Sequence, residues 1–435
     1  PVAQTFAALA LFGLGRSMYG AWVGVWSGVI WLLLPGVWLS SGVMSTDALL
    51  LPLWAIALFC AWRLTVSRAW VWPIALGLTL GLGLNAKYAM FYFFLCAAIA
   101  AWWSVPVREA LKGGRWAAVI GIALLMLTPN LYWNFTHHFE TVGHTVSNAH
   151  LTRDFIHPEE VFEFLGTQMA VIGPVLFIAF LWMLWRAQSR AAGLSAEDRF
   201  LLAFALPPLV LMMVQAFLSR ANANWAAAAY PATVVWMAGT LAGSKAGRRV
   251  LIAGLAVNFA MGATLGFAAL RPDLADHIKS LSNSIKRARS WEDTANQIAA
   301  RAAPHAGEPS YTAVLVDDRD LFYEINYYWR EARRSGQPLP PVRMWRLYAD
   351  PHNSAESSDP MRPEEGGRVL IVHQNERYVP LVAGDFSVFR AVEPLSVSLG
   401  AVHPRMFDVS VGENFSPAKR DAAFMQRLRT IDGGS

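Results

Sequence analysis

The sequence predicts an α-helical polytopic membrane protein of about ten spans, each roughly 20 apolar residues, followed by a C-terminal extracytoplasmic α/β domain. Three observations carry that expectation. The 435 residues are 55% hydrophobic and only 15% charged, where soluble proteins average about 25%. The charges are unevenly placed: residues 1–270 are apolar blocks broken by short polar turns, and 271–435 has ordinary soluble composition. The Lys and Arg residues of the first part also alternate between rich and poor turns.

The apolar blocks place spans at 2–15, 18–40, 48–62, 69–86, 88–106, 116–134, 161–185, 200–218, 222–243 and 250–270. The block at 48–62 is short for a bilayer core of ~30 Å. Prolines such as Pro52, Pro129 and Pro207 fall inside blocks, which neighbouring helices tolerate in a membrane. One set of turns holds twelve Lys and Arg residues and the alternate set three, Lys87, Arg153 and Arg220. The positive-inside rule makes the rich set cytoplasmic. Asp47, Lys87, the loop 135–160 and the segment 218–224 then share the opposite face, and 271–435 follows them there. The alternation also starts the first block outside with nothing before it, and the chain begins with Pro, so the expectation is that at least one span and an outer loop precede residue 1.

The C-terminal part reads as an amphipathic helical stretch over 274–302, a strand at Thr312–Val316, a helix through Leu321–Trp329, and strands at Val342–Leu347, Val369–Val372 and Phe386–Arg390. That alternation suggests a small α/β domain. Asp317, Asp318 and Asp320 follow the first strand; they read as a site or, in preference, as caps of the next helix, the usual role of acidic residues at such a turn. The net charge of +5 is split between membrane loops and the tail, so nucleic acid is not an expected partner. Cys60 and Cys96 lie inside apolar blocks and read as small core hydrophobes. No Gly-rich phosphate loop or Cys/His metal spacing is present.

Asp47 is the one charged side chain between Ser17 and Trp62. A charge at the edge of hydrocarbon is costly and marks a functional candidate. Lys87 is the only charge between Arg68 and Arg108. With them on the outer face come His137 and His138, in a loop that holds five of the ten histidines, and Arg220 followed by Asn222 and Asn224. A carboxylate beside cations at a membrane surface suits a lipid phosphate. The cations and imidazoles stabilise charge on a leaving phosphate, and the carboxylate orients or deprotonates an acceptor hydroxyl. Each residue also has a plainer role: Asp47 as the N-cap of the helix starting at Ala48, Lys87 and Arg220 as interfacial anchors, the histidines as loop surface, and Trp225 and Tyr230 as interfacial aromatics. A histidine metal site finds no helical spacing to support it, and the need for a divalent metal stays open.

Several motifs carry a resemblance. Gly42-Val43-Met44-Ser45-Thr46-Asp47-Ala48-Leu49-Leu50, Gly83-Leu84-Asn85-Ala86-Lys87-Tyr88, Pro129-Asn130-Leu131-Tyr132-Trp133-Asn134 and Asn224-Trp225 with Tyr230-Pro231 resemble, in order, motifs of C-superfamily polytopic glycosyltransferases. The nearest branch looks like the bacterial relatives of protein O-mannosyltransferases and the lipid A aminoarabinose transferase. The likeness covers about residues 1–270. It implies an inverting, inner-membrane transferase that moves a sugar from a polyprenyl-phosphate donor to an extracytoplasmic lipid, glycan or protein hydroxyl. It also implies Asp47 as the family's second acidic residue, Lys87 at the donor phosphate, and a preceding Asp-Glu pair that this sequence does not contain. The competing readings are a transporter or lipid flippase, disfavoured because the charges gather on one face without repeated halves, and a non-enzymatic scaffold with the tail as its binding module.

Overall fold

Apolar residues wind the first part of the chain into a succession of helices, here seen in a computed structural model. It describes all residues except 43–44, 137–155, 190–192, 280–281, 284–285, 305–306, 308, 401–402 and 433–435. The chain divides into two units, Pro1–Thr264 and Leu265–Ser435. The helices of the first part are α1 (Val2–Tyr19), α2 (Ala21–Leu32), α3 (Pro35–Gly42), α4 (Thr46–Val66), α5 (Val71–Ala86), α6 (Tyr92–Trp103), α7 (Val105–Ala110), α8 (Gly114–Thr136), α9 (Pro158–Ile172), α10 (Pro174–Gln188), α11 (Ala196–Leu218), α12 (Tyr230–Leu241) and α13 (Lys245–Leu270).

Four of these, α4, α8, α11 and α13, are long and apolar enough to cross a membrane, and six spans result if the bent pairs α2–α3 and α9–α10 each count once. The expectation of ten spans is not confirmed. The expectation that 48–62 is too short is corrected: Thr46, Asp47 and Arg63 to Val66 are helical too, giving 21 residues, about 31 Å at 1.5 Å per residue. The block 161–185 is not one continuous helix either. It breaks at Gly173, with a bend of 114° between α9 and α10. Pro174 has no N–H, so the helical ladder lapses, and Asn258 Nδ2 on α13 donates to the freed carbonyl of Ile172 at 3.0 Å. The block 18–40 bends by 59° at the Leu32–Pro35 break.

An aromatic column ties α4, α6 and α11 together. Trp54 meets Phe93 edge-on at 5.3 Å, Phe93 meets Phe204 at 4.8 Å, and Phe200 meets Phe204 at 4.9 Å. Each such pair contributes about 0.5–1.5 kcal/mol beyond its burial. α5 packs closely on α8 because Gly81 presents no side chain: a Cβ there would sit 2.4 Å from Met126 Cβ, the small-residue approach favoured between membrane helices.

The second unit is an α/β domain, as the sequence suggests. Its sheet has the order β2-β1-β3-β5-β4, with β1 at Ala313–Val316, β2 at Val342–Met344, β3 at Arg368–His373, β4 at Phe386–Val397 and β5 at Arg405–Phe415. The first three are parallel, and β5 runs antiparallel to both β3 and β4. β1 is buried on both faces. Val314 and Val316 pack with α14 (Trp291–Ala302) and α15 (Arg319–Arg334), and Ala313 and Leu315 with Phe424 and Leu428 of α16 (Ala422–Asp432). The 274–302 stretch is not one helix: a short turn at Pro272–Ala275 and α14 are separate, and Ser290, at φ 58°, interrupts the spiral before Trp291. Asp318 caps α15 through the N–H groups of Asp320 and Leu321. The register of β4 on β5 slips between Val392 and Leu395, and Arg301 donates there to the carbonyls of Glu393 and Pro394.

Candidate functional site

Ser45, not Asp47, opens α4. Its side chain accepts from Ala48 N at 3.3 Å, which corrects the capping role considered for Asp47. Asp47 falls in the first helical turn, where the exposed N–H groups favour a carboxylate, and its side chain is free to point away from its own backbone.

The stretch Asn85-Ala86-Lys87-Tyr88 shows why those residue types follow one another. Asn85 Nδ2 donates to Gly81 O at 2.8 Å and to Met126 O on α8 at 2.9 Å, which ends α5 against its neighbour. Lys87 then leaves the helix in an extended conformation at φ −162°. Its Nζ donates to Asp47 Oδ1 at 2.7 Å, with the two side chains only 25% and 12% exposed. Tyr88 continues into a 3-10 turn, and its hydroxyl donates to Asn130 Oδ1 at 2.8 Å. Asn134 Nδ2 closes that group on Tyr88 and Asn130.

The second oxygen of Asp47 is also engaged. Asn224 Nδ2 donates to Asp47 Oδ2 at 2.6 Å from the 3-10 turn Ala223–Ala229. Three of the residues expected at the site therefore meet, although 177 positions separate Asn224 from Asp47. Arg220 is exposed on the connection just before this turn and does not line the cleft described next. His137 and His138 lie outside the described residues.

Asp47 and Asn224 stand at the edge of a cleft of about 340 Å³. Trp31, Leu39, Leu51 and Val171 give it apolar walls. Its polar side is Ser45, Asp47, Asn224 and Tyr230. Trp31 is held in place by Gln4, whose Oε1 accepts from Trp31 Nε1 at 3.2 Å. An apolar slot with a few convergent polar groups is the ordinary form of a ligand site. Lys87 does not line the cleft and adjoins it through Asp47; the carboxylate and the carboxamide, with the amine behind them, can address a charged head while the walls accept an apolar body.

Gln168 and Tyr230 support this cluster. Tyr230 is buried, which corrects its reading as an interfacial aromatic. Its hydroxyl donates to Gln168 Oε1, and Gln168 Nε2 donates to the carbonyl of Ala223 at 3.2 Å. Gln168 escaped the sequence reading. The signal was available: a lone amide inside an apolar block is costly unless it is bonded. Among the described residues, no three His, Cys, Asp or Glu side chains come together as metal ligands, and Cys60 and Cys96 are buried free thiols.

A family model described as dolichyl-phosphate-mannose-protein mannosyltransferase matches residues 2–133, which takes in both Asp47 and Lys87. The lipid A galacturonosyltransferase RgtD of Rhizobium johnstonii is 34% identical over 241 residues, 54% of this chain and 50% of the relative. The chain thus spans about half the length of that curated relative. Among solved structures, ArnT from Cupriavidus metallidurans bound to undecaprenyl phosphate matches with a TM-score of 0.53 at 13% identity, over 97% of this chain and 83% of that one. Its apo form matches at 0.49 and 15% identity, with the same coverage. The fold is that of ArnT, and with the matching family model and relative this bears out the resemblance to the C-superfamily polytopic glycosyltransferases.

Proposed function

We propose that this multi-pass protein is a membrane glycosyltransferase that moves a sugar from a polyprenyl-phosphate carrier to an acceptor hydroxyl in the cell envelope. The observation that carries the proposal is the Asp47–Lys87–Asn224 cluster at the edge of an apolar cleft. Lys87 is the donor-phosphate ligand. A phosphate arriving from the bilayer competes with Asp47 for the ammonium, and a charge-assisted bond in a dry site is stronger than one in water. As that pair opens, the Asp47 carboxylate is released to orient or deprotonate the acceptor hydroxyl, with Asn224 holding its other oxygen. Lys87 then stabilises the charge left on the carrier phosphate. The carrier's tail stays in the bilayer and the walls of the cleft take its first units. Arg220, His137 and His138 are further head-group ligands in this reading.

The 34% identical relative, named as a lipid A galacturonosyltransferase, supports a lipid acceptor and a sugar acid among the donors to test first. The family match and the relative favour a transferase over a transporter. The protein sits in the bacterial inner membrane, with the α/β domain on the extracytoplasmic side, as the alternation of Lys and Arg supports. The test is transfer from labelled undecaprenyl-phosphate sugars to lipid acceptors in detergent. Lys87→Ala should raise the donor KM by roughly tenfold or more, the value of about 1.5–3 kcal/mol for a charged bond, and Asp47→Asn should lower kcat. Unchanged donor kinetics in Lys87→Ala would remove Lys87 from the phosphate site.

A further inference from the structure

A second cleft, larger than the first, lies between α10, α12 and α13. It measures about 1030 Å³, at the upper end of the ~300–1,000 Å³ typical of ligand pockets. Its shape follows from how α10 and α13 meet. They touch near the Gly173 break, where Asn258 reaches Ile172, and again where Gly254 lies under Leu176 so closely that a Cβ would come within 2.5 Å of Leu176 Cδ2. Beyond those contacts the cleft runs between the two helices, from Val175 and Ile178 beside the contacts to Arg186 and Ser244 at the mouth.

Walls and mouth differ chemically. The walls are apolar: Ala179 and Trp236 are buried, and Ile178 and Val250 line the cleft as exposed side chains. At the mouth Arg186 lies over the Trp182 ring at 4.9 Å, and α13 begins with exposed Lys245. The N-terminus of this 26-residue helix adds the partial positive charge of its dipole, with Ser244 Oγ already accepting from Gly247 N at 2.9 Å. The acid at the mouth, Asp198, is already engaged: Tyr19 donates to its Oδ1 at 2.8 Å, and Ser195 holds its Oδ2 through both N and Oγ. Arg248 and Arg249 follow on the same first turns of α13. Arg186 lines the cleft, and Lys245, Arg248 and Arg249 stand beside its lining residues Ser244, Ala246 and Gly247, so four cations face one acid, Asp198, at the end of apolar walls. The mouth is also distinct from the Asp47 cluster: α11 carries Asp198 at its start and reaches the Asn224 turn only after its 23 residues, about 34 Å at 1.5 Å per residue.

We infer that this cleft binds an anionic phospholipid of the surrounding bilayer, with its acyl chains between α10 and α13 and its phosphate at Arg186 and the start of α13. A zwitterionic lipid presents an ammonium to the same cations and is held less well. The site is separate from the carrier site and does not depend on the proposed transferase reaction.

Native mass spectrometry of the protein released from detergent micelles containing equal phosphatidylglycerol and phosphatidylcholine tests the inference. The wild type should retain phosphatidylglycerol over phosphatidylcholine, and Arg186→Ala should lower its retention about tenfold, the equivalent of losing one charge-assisted bond. Val250→Trp, which fills the cleft at an exposed position, should lower retention of both lipids. Thermal unfolding in the same detergent identifies any variant that has lost its fold, and the second variant then decides. Equal retention of the two lipids by the wild type, or wild-type retention of phosphatidylglycerol by both folded variants, overturns the site. Displacement of phosphatidylglycerol by equimolar undecaprenyl phosphate overturns it as well, since the occupant would then be the carrier.

Discussion

Gln168 Nε2 donates to the carbonyl of Ala223 at 3.2 Å, one residue before the asparagine that grips Asp47. A buried amide on α9 thus fixes the turn from which Asn224 reaches the carboxylate. Replacing it with leucine leaves the Tyr230 hydroxyl and the Ala223 carbonyl without this partner in a dry site, each costing about 1–3 kcal/mol. Gln168→Leu should therefore lower the melting temperature and weaken transfer as Asn224→Ala does. Tyr230→Phe, which removes only the hydroxyl, should cost less in both. The check is thermal unfolding in detergent beside the transfer assay. Full activity in Gln168→Leu would separate this amide from the site.

Gly173 has φ 91° and ψ 141°, a region essentially reserved for glycine, and a Cβ there would sit 1.7 Å from Asn258 Oδ1. Gly173→Ala should be strongly destabilising in thermal unfolding. The double variant Gly173→Ala/Asn258→Ala should recover part of the loss, because it removes the overlap and leaves about 1–3 kcal/mol of backbone strain. A double variant no better than the single one would show that overlap with Asn258 is not the cause.

Asp385 is fully buried and holds four groups: Arg420 Nη2 at 2.6 Å, Arg420 Nη1 at 3.0 Å, Trp345 Nε1 at 2.8 Å and Ala418 N at 2.7 Å. The Arg420 guanidinium also lies 4.3 Å from the Phe424 ring, which docks α16. Removing one partner of such a pair strands the other charge and costs about 3–5 kcal/mol. Asp385→Asn should show that loss in urea denaturation followed by protection of β1 and β3 amides. Asp385→Leu with Arg420→Leu should recover part of it. Additive losses would mean the two groups do not act as a pair.

His373 and Asp317 sit at the ends of β3 and β1, with His373 Nδ1 3.9 Å from Asp317 Oδ2. Burial pushes the imidazole down from 6.5 to about 4. Burial pushes the Asp317 carboxyl up from 3.8 to about 6, against the backbone N–H groups of Gln374 and Asn375 that favour its charge. Between pH 4 and 6.5 the unfolded chain holds the extra proton at His373, so that group weakens the fold as pH falls. Asp317 has the opposite sign: its contribution is present below 3.8 and is lost as pH rises through 6. The two nearly cancel between pH 4 and 6, where folded and unfolded states each hold one proton on the pair. Asp317→Asn should therefore unmask an acid sensitivity on the order of 3 kcal/mol between pH 6.5 and 4, at about 1.36 kcal/mol per pH unit. Amide protection of β1 and β3, corrected for intrinsic exchange, gives the measurement. Parallel pH profiles for wild type and variant would exclude this compensation.

Asp47 and Lys87 were legible in the sequence because a charge in an apolar chain is expensive enough to stand out without any partner being known. Their meeting follows from the two ends that carry them, the first turn of α4 and the residue that leaves α5. Gln168 carried the same kind of signal but was passed over, because hydropathy over 161–185 averages away one amide. The same averaging hid the break at Gly173-Pro174, since both flanks stay apolar. The length of α4 was underestimated because apolar blocks end where polar residues begin, whereas helices end where caps allow; Ser45 supplies that cap. β5 was missed because its strand character comes from pairing with both β3 and β4, which no local pattern shows.

The slipped register at Glu393–Pro394 has a further consequence for β4, the twelve-residue strand at the rim of the sheet. A long rim of free amides recruits strands from other molecules. Here a residue without an N–H interrupts the row, and Arg301 already occupies the two adjacent carbonyls. The rim is interrupted at its middle, which disfavours strand addition from another copy there.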